Sequence, residues 1–190
     1  ESPEALFAHT AGLRVVTPSS PADAYTMMRQ AIVSPDPVIF MEPKSRYWTK
    51  GEVPASADLG ESAVVAGLET AQVVRAGTDV TLAGYGPTVA TLLEAAAAAA
   101  EDGVSAEVID LRSISPLDLD TVTASVSRTG RLIVAHEAAG PFGVGAELAA
   151  AVTEQCFYRL EAPTLRVTGY HTPYPANAHE HEYLPNLDRV

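Results

Sequence analysis

Cysteine and lysine are almost missing from this chain of 190 residues, and each shortage excludes a class of protein. The single cysteine, Cys156, excludes an internal disulfide framework and a zinc site built from cysteines alone. The only lysines are Lys44 and Lys50, and no basic run occurs in a sequence with a net charge of −12. Nucleic acids and anionic membranes are bound through clustered lysine and arginine, so neither is expected as a partner. No apolar run reaches the roughly 18 residues of a membrane span, and the run at 89–100, which comes closest, contains Glu94.

What is present instead is a hydrophobic content of 47%, which supports a folded core and argues against disorder. The chain is organised around one stretch, in which residues 106–111 predict a buried strand and residues 112–115 a turn. A helix is expected to begin at Pro116, with Asp118 and Asp120 in its first turn, where proline is tolerated and acidic groups suit the helix dipole. Strands and helices of similar length lie on both sides, which predicts a three-layer α/β domain.

Three regions are expected along the chain: 1–43, 44–69 and 70–190. The first contains a helix at 21–33 between two short strands, which are too few to make a domain. Residues 44–69 show weak periodicity and scattered proline and glycine, which is typical of a linker. In the third region the predicted strands are 72–75, 79–85, 106–111, 132–136 and 165–168, and the predicted helices are 88–102, 117–129 and 146–156, followed by an irregular end at 169–190.

Two glycine-rich loops are candidates for phosphate binding, and a histidine-rich tail is a candidate for metal binding. Gly84–Pro87 lacks the third glycine of a dinucleotide fingerprint, and Gly140–Gly145 lacks the lysine of a P-loop, so tight turns are favoured over phosphate sites. His171, His179 and His181 offer metal ligands, but a zinc site also needs a supporting shell, so a solvated polar tail is favoured.

Polar residues directly after two buried strands are the remaining candidates. His136 and Glu137 follow one strand, and Glu42 and Lys44 follow another. Ligands of open α/β sheets bind at the carboxyl ends of strands, so both pairs are crevice candidates. A hydrogen-bonded structural role is the alternative for each. Residue chemistry alone therefore predicts an acidic α/β protein and names no reaction.

Several motifs, taken in chain order, carry a resemblance that covers nearly the whole chain. They are SPEALFAH at 2–9, GLRVVTP at 12–18, PVIFMEPK at 37–44, EVIDLR at 107–112, TGR at 129–131, HEA at 136–138, LEAP at 160–163 and TPYP at 172–175. The pattern resembles the beta subunit of thiamine-dependent 2-oxo acid dehydrogenases, the branched-chain type most and the pyruvate type next. The resemblance implies the end of a transketolase-like pyrimidine-binding domain at 1–43, followed by a transketolase C-terminal-type domain at 70–190.

The same resemblance implies where the chemistry of the complete enzyme lies. Thiamine diphosphate and magnesium would be held mainly by an alpha subunit, and the family's active-site histidine would fall just before residue 1. No catalytic or cofactor-binding residue is therefore expected in this chain. A potassium site is implied at the carbonyls of Ala31 and Ser34 and the side chain of Asp36, although Pro35 departs from the family pattern. A simple helix stop is the alternative.

The resemblance also implies partners: the alpha subunit, a second beta subunit and the acyltransferase core, whose small basic binding domain suits an acidic surface. Glu154 is the expected docking contact, with a solvated helix face as the alternative. The expected function is subunit assembly and docking within a branched-chain 2-oxo acid dehydrogenase in the cytoplasm, with the mitochondrial matrix also compatible. The alternatives are a pyruvate or acetoin dehydrogenase beta subunit, an enzyme like deoxyxylulose-phosphate synthase, and a non-catalytic binding module.

Overall fold

The computed structural model describes residues 2–55, here called the first portion, and residues 67–190, the second portion. The first portion contains α1 (Glu4–Ala8), β1 (Arg14–Val16), α2 (Pro21–Val33), β2 (Val38–Phe40) and a 3-10 turn (Lys44–Arg46). The second contains β3 (Gln72–Arg75), β4 (Val80–Gly84), α3 (Thr88–Glu101), β5 (Ala106–Asp110), β6 (Ser113–Ser115), α4 (Leu119–Thr129), β7 (Leu132–Ala139), α5 (Val144–Cys156), β8 (Leu165–Gly169) and α6 (Glu180–Tyr183).

A five-stranded sheet with the order β3-β5-β4-β7-β8 forms the centre of the second portion. Strand β3 runs antiparallel to β5, and the other neighbours are parallel. Helix α3 packs on one face through Leu92 and Ala96. Helices α4 and α5 cover the other face through Val126 and Leu148. Helices on both faces of a mostly parallel sheet make three layers, so the predicted α/β architecture is confirmed.

Helix α4 ends as the sequence predicts and begins later than it predicts. Gly130 closes the helix with a left-handed φ of 68°. The expected start at Pro116 is wrong, because the helix begins at Leu119. Asp118 is its N-cap, and the carboxylate accepts from the backbone N–H of Thr121 at 3.0 Å. The capping carboxylate, rather than the proline, therefore fixes where this helix starts.

The expected turn at 112–115 is wrong as well, because Ser113–Ser115 form strand β6. This strand pairs antiparallel with β1, which pairs parallel with β2, and the three strands make a second sheet. Helix α2 packs against this sheet, with Met27 in contact with Val16 in a small buried cluster. The two portions therefore share a sheet, which fixes how the first is held against the second.

The end of the second portion is less irregular than the sequence predicts. Residues 177–179 form a 3-10 turn that runs directly into α6, so His179 and His181 do not lie in a strand. The linker predicted at 44–69 begins with the 3-10 turn at Lys44–Arg46, and part of that prediction, at 56–66, lies outside the described residues. Within 2–55 and 67–190, no helix has the length and apolar character needed to cross a membrane.

Candidate functional site

At one edge of the five-stranded sheet β4 ends at Gly84, whereas the neighbouring strand β7 continues to Ala139. The prediction that His136 and Glu137 follow a strand is therefore wrong, because both lie within β7, in the part that extends past β4. Gly84 at the end of β4 is in register with Ala135 of β7, so Tyr85 and His136 are neighbours. Their rings stack with centroids 5.8 Å apart and planes inclined by 15°. Because ligands of open α/β sheets bind at the carboxyl ends of strands, this edge is the first candidate site.

His136 is completely buried, and both of its ring nitrogens are engaged. The backbone N–H of Gly145 can only donate, so Nε2 of His136 accepts it, at 3.1 Å. Nδ1 then carries the proton and donates to the carbonyl of Ala138 at 3.0 Å. Burial lowers the pKa of His136 to about 4, so the ring is neutral at pH 7. The arrangement supports the structural alternative, in which His136 ties β7 to the start of α5.

The glycines at the start of α5 have a steric reason to be there. A Cβ added at Gly145 would lie 2.7 Å from Nε2 of His136, and one added at Gly143 would lie 2.9 Å from Cε1. Both distances are too short for carbon contacts, so any larger residue would displace the ring. The tight approach of helix and histidine accounts for the glycine-rich loop without a phosphate.

Glu4, Tyr85 and Glu137 form an acidic group at the same edge, which we call the edge cluster. Glu4 and Tyr85 are 8% and 2% exposed. Burial raises the pKa of Glu4, and the negative charge of Glu137 adds to the shift. Burial also raises the pKa of Tyr85, followed by the charges of Glu4 and Glu137. Within the described residues, neither Oε2 of Glu4 nor the hydroxyl of Tyr85 has a hydrogen-bond partner. The edge cluster is therefore suited to hold protons or to accept a donor group.

Sequence reasoning found His136 and Glu137 but missed Glu4 and Tyr85. Tyr85 directly follows β4 and lies beside His136 of β7, so the strand-end rule applied to β4 would have selected it. Glu4 carries no such signal, because it belongs to the short helix α1, far from the sheet in sequence.

A cleft of about 790 Å³ lies on the first portion, between α2, the end of β2 and residues 43–49. Apolar and aromatic side chains line it, and Arg29, Arg46 and Glu42 supply its charges. The carboxylate of Glu42 accepts a hydrogen bond from the hydroxyl of Tyr47 at 2.8 Å. Both residues of the predicted strand-end pair are exposed, but only Glu42 lines the cleft, whereas Lys44 lies in the 3-10 turn.

The three residues of the predicted potassium site lie together at the end of α2. The carbonyl of Ala31 accepts from the N–H of Ser34 at 3.3 Å. Oδ2 of Asp36 accepts from Nε and Nη2 of Arg14 at 3.0 and 2.7 Å. Arg14 also pairs with Glu69. A cation bound here would share the Asp36 carboxylate with Arg14, and the site stays a prediction.

Glu154, the predicted docking contact, is exposed near the end of α5, two residues before the buried Cys156. Its role also stays a prediction. In the histidine-rich tail, His179 lies 3.7 Å from the carboxylate of Glu182. Among residues 2–55 and 67–190, no group of three histidine, cysteine, aspartate or glutamate side chains is placed to hold a metal ion.

Comparison with known families places both portions. The family described as "Transketolase, C-terminal domain" matches residues 69–190, and "Transketolase, pyrimidine binding domain" matches residues 1–49. A solved structure titled "Split gene transketolase, inactive beta4 tetramer" superposes with a TM-score of 0.74 over 98% of this chain and 57% of that one. At 23% identity, this likeness shows the fold alone.

Curated relatives match the whole chain at higher identity. The pyruvate dehydrogenase E1 component subunit beta of Leifsonia xyli is 54% identical over 190 residues, which is 55% of that protein. The 3-methyl-2-oxobutanoate dehydrogenase subunit beta of Mycobacterium tuberculosis is 48% identical, with 53% of it covered. The 2-oxoisovalerate dehydrogenase subunit beta of Pseudomonas aeruginosa is 46% identical, with 56% covered. The chain therefore spans about half the length of the curated relatives it matches.

Proposed function

From the premise that the chain belongs to the transketolase C-terminal domain family, we propose that it is the C-terminal portion of a 2-oxo acid dehydrogenase beta subunit. The observation that carries the proposal is 46–54% identity over the whole chain to beta subunits from three bacteria. The complete enzyme would decarboxylate a 2-oxo acid with thiamine diphosphate and pass the acyl group to lipoamide. This chain would contribute assembly and docking.

The edge of the five-stranded sheet does not fit the diphosphate of that cofactor. A diphosphate needs cationic or backbone N–H groups, and the sheet edge presents Glu4 and Glu137 instead. Two carboxylates there would repel phosphate oxygens rather than hold them. The family resemblance implies instead that an alpha subunit would hold the diphosphate and its magnesium ion.

Assembly is the role that the internal contacts support. Strand β6 of the second portion extends the sheet of the first, and Val15 of β1 packs in the same buried cluster as Ile114 of β6 and Val126 of α4. A shared sheet and a continuous apolar core join the two portions into one support. Such a support suits a subunit that holds half of a composite active site in place.

A hybrid subunit tests the proposal. Residues 1–190 replace the matching half of the Mycobacterium tuberculosis beta subunit, and the hybrid is co-expressed with that organism's alpha subunit. We expect a complex by gel filtration and decarboxylation of 3-methyl-2-oxobutanoate, followed with an artificial electron acceptor and the parent subunit as control. A hybrid that fails to assemble, or that assembles without activity, would contradict the proposal.

The substrate is proposed to be a branched-chain 2-oxo acid, and pyruvate is the second candidate because of the 54% identity to the Leifsonia xyli subunit. A second hybrid, in which residues 1–190 replace the matching half of the Leifsonia xyli beta subunit, distinguishes the two candidate substrates. The quantity compared is the ratio of kcat/KM for 3-methyl-2-oxobutanoate to kcat/KM for pyruvate. If the chain favours branched-chain acids, this ratio should be higher in the Leifsonia hybrid than in the parent Leifsonia enzyme. A lower ratio in the Mycobacterium hybrid than in its parent would instead favour pyruvate.

A further inference from the structure

A buried carboxyl group lies where the first and second portions meet, at the end of the central strand β5. Asp110 has no exposed surface. Its strand neighbours are Gly84 on β4 and Gln72 on β3, and neither of them titrates. Oδ1 accepts from the backbone N–H of Arg112 at 3.0 Å, and Oδ2 is hydrogen-bonded to the hydroxyl of Ser19 in the first portion.

Ser19 stands between two carboxyl groups but has only one hydroxyl hydrogen. Its Oγ lies within hydrogen-bond distance of Oδ2 of Asp110 and 3.5 Å from Oδ2 of Asp23. If both carboxyls are ionised, the hydroxyl can donate to only one of them. With a proton on Asp110, that carboxyl donates to Ser19, and Ser19 donates to Asp23. One added proton therefore completes the chain of hydrogen bonds.

Asp110 and Asp23 have different surroundings, and Asp110 is the carboxyl group that is expected to bind the proton. Asp23 is paired with Nε of Arg112 at 3.2 Å and also accepts from the hydroxyl of Ser20 at 2.6 Å. Asp110 has no side-chain ion pair in the described part of the chain. Burial raises its pKa to about 7, with a further rise from the charge of Asp23 and opposition from Ser19 and Arg112. Asp23 and Arg112 are the charged groups that face it.

The same group of residues connects three segments of the chain. Arg112 has a positive φ of 56°, and its carbonyl accepts from the N–H of Thr17 at 2.9 Å, beside the β1–β6 pairing. Its guanidinium donates to the carbonyl of Thr70 at 3.2 Å, where the second portion begins. The start of α2, the end of β5 and residue 70 therefore meet at one polar centre.

We propose that Asp110, Ser19 and Asp23 form a proton-binding latch between the two portions, in which a proton on Asp110 holds the start of α2 against the sheet. Loss of the proton leaves two buried carboxylates separated by one hydroxyl and one guanidinium. The start of α2 then opens more readily from the second portion. The latch goes beyond the proposed function and does not depend on it.

The pH window follows from the two states. When the latch is open, Asp110 is solvated and ionises near its ordinary pKa of 3.8; when it is closed, the pKa is about 7. Opening therefore releases a proton between pH 4 and 7, so the opening equilibrium rises with pH in that range and levels off above it. With these two pKa values, opening increases about tenfold between pH 6 and pH 8 and about a hundredfold between pH 5 and pH 8.

Hydrogen–deuterium exchange of the 190-residue chain tests the latch. After correction for intrinsic exchange, peptides covering residues 17–27 should lose protection about tenfold from pH 6 to pH 8 in the wild type. Asp110→Asn, whose side-chain amide donates to Ser19 as the protonated acid does, should keep protection constant over this range. Asp102→Asn changes an exposed aspartate and is the matched control, expected to behave as the wild type.

In the exchange experiment, the absence of pH dependence in the wild type, or the same dependence in Asp110→Asn, would overturn the proposal. Ser19→Ala provides a second test if Asp110→Asn fails to fold, because Ser19 is only half-buried. It breaks the bridge, so protection of residues 17–27 at pH 6 should fall towards the wild-type value at pH 8. Unchanged protection in Ser19→Ala would refute the bridging role. A carbon NMR titration in which the Asp110 carboxyl has a midpoint near its ordinary value of 3.8 would also refute the latch.

Discussion

His136 is expected to make the folded protein less stable at acidic pH. Replacing it with glutamine should therefore remove most of that loss of stability. The folded-state pKa of His136 is about 4, and its ordinary value is 6.5. A pKa that is lowered on folding means that the unfolded chain binds the proton first. The contribution is therefore fully present above pH 6.5 and is lost as the pH falls towards 4. A shift of about 2.5 units corresponds to roughly 3 kcal/mol, without discount for solvent because the ring is completely buried.

Asp110 acts in the opposite direction over the same pH range. Its raised pKa makes the folded state bind the proton first, so the stability that this proton contributes falls by up to roughly 4 kcal/mol as the pH rises from 4 to 7. The two effects offset each other in the wild type, whose stability should change little through this window on their account. When either His136 or Asp110 is replaced, the pH dependence of stability that the other residue causes should become measurable.

The assay is urea denaturation at pH 7 and pH 4.5 of the wild type, His136→Gln and His171→Gln, the last being an exposed control. Glutamine provides an amide oxygen to accept from Gly145 but does not titrate. Between pH 7 and pH 4.5, the change in the free energy of unfolding should be roughly 2.5 kcal/mol more positive for His136→Gln than for the wild type. This difference does not depend on how stable the variant is at pH 7. Parallel changes in the two proteins would refute a buried neutral histidine.

Three further predictions concern the sites that the sequence proposed. Replacing sodium with potassium should raise the melting temperature, with about 1.4 kcal/mol of stabilisation when potassium is ten times its Kd, and Asp36→Ala should abolish that increment; an equal increment in the mutant would remove Asp36 from the site. Trypsin should cut first after Lys44 or Lys50, both exposed near the end of the first portion and within the predicted linker at 44–69; first cuts within residues 79–168 would contradict the predicted domain boundary. Glu154→Lys should weaken binding of the acyltransferase's basic binding domain by calorimetry, and unchanged affinity would leave Glu154 as a solvated surface residue.

The second portion was largely predictable because its strands and helices are long enough to carry their own signals. Residues 88–102 were expected to be helical, and the helix spans Thr88–Glu101. Strand β6 was missed because it has only three residues and its partner is β1, about a hundred positions earlier. Local periodicity contains no trace of such a distant pairing. The sequence predicts too early a start for α4, because proline is common at the first position of a helix, whereas the cap of this helix is the carboxylate of Asp118.

The polar sites were predictable only as far as the strand-end rule reaches. It selected His136 and Glu42, and the structure encloses the first and places the second in a cleft. The latch was missed because Asp110 was assigned to an apolar strand, and nothing near it in sequence shows that Ser19 lies opposite. A buried acid becomes meaningful only when its distant partner is known.

The central proposal is that this chain would supply the supporting half of a composite thiamine diphosphate site. Calorimetric titration of thiamine diphosphate and magnesium tests it most directly, first into the isolated 190-residue chain and then into the hybrid beta subunit assembled with an alpha subunit. The account predicts no measurable binding to the isolated chain and saturable binding to the assembled complex. Micromolar binding by the isolated chain would contradict it, because the chain would then contain a complete cofactor site of its own.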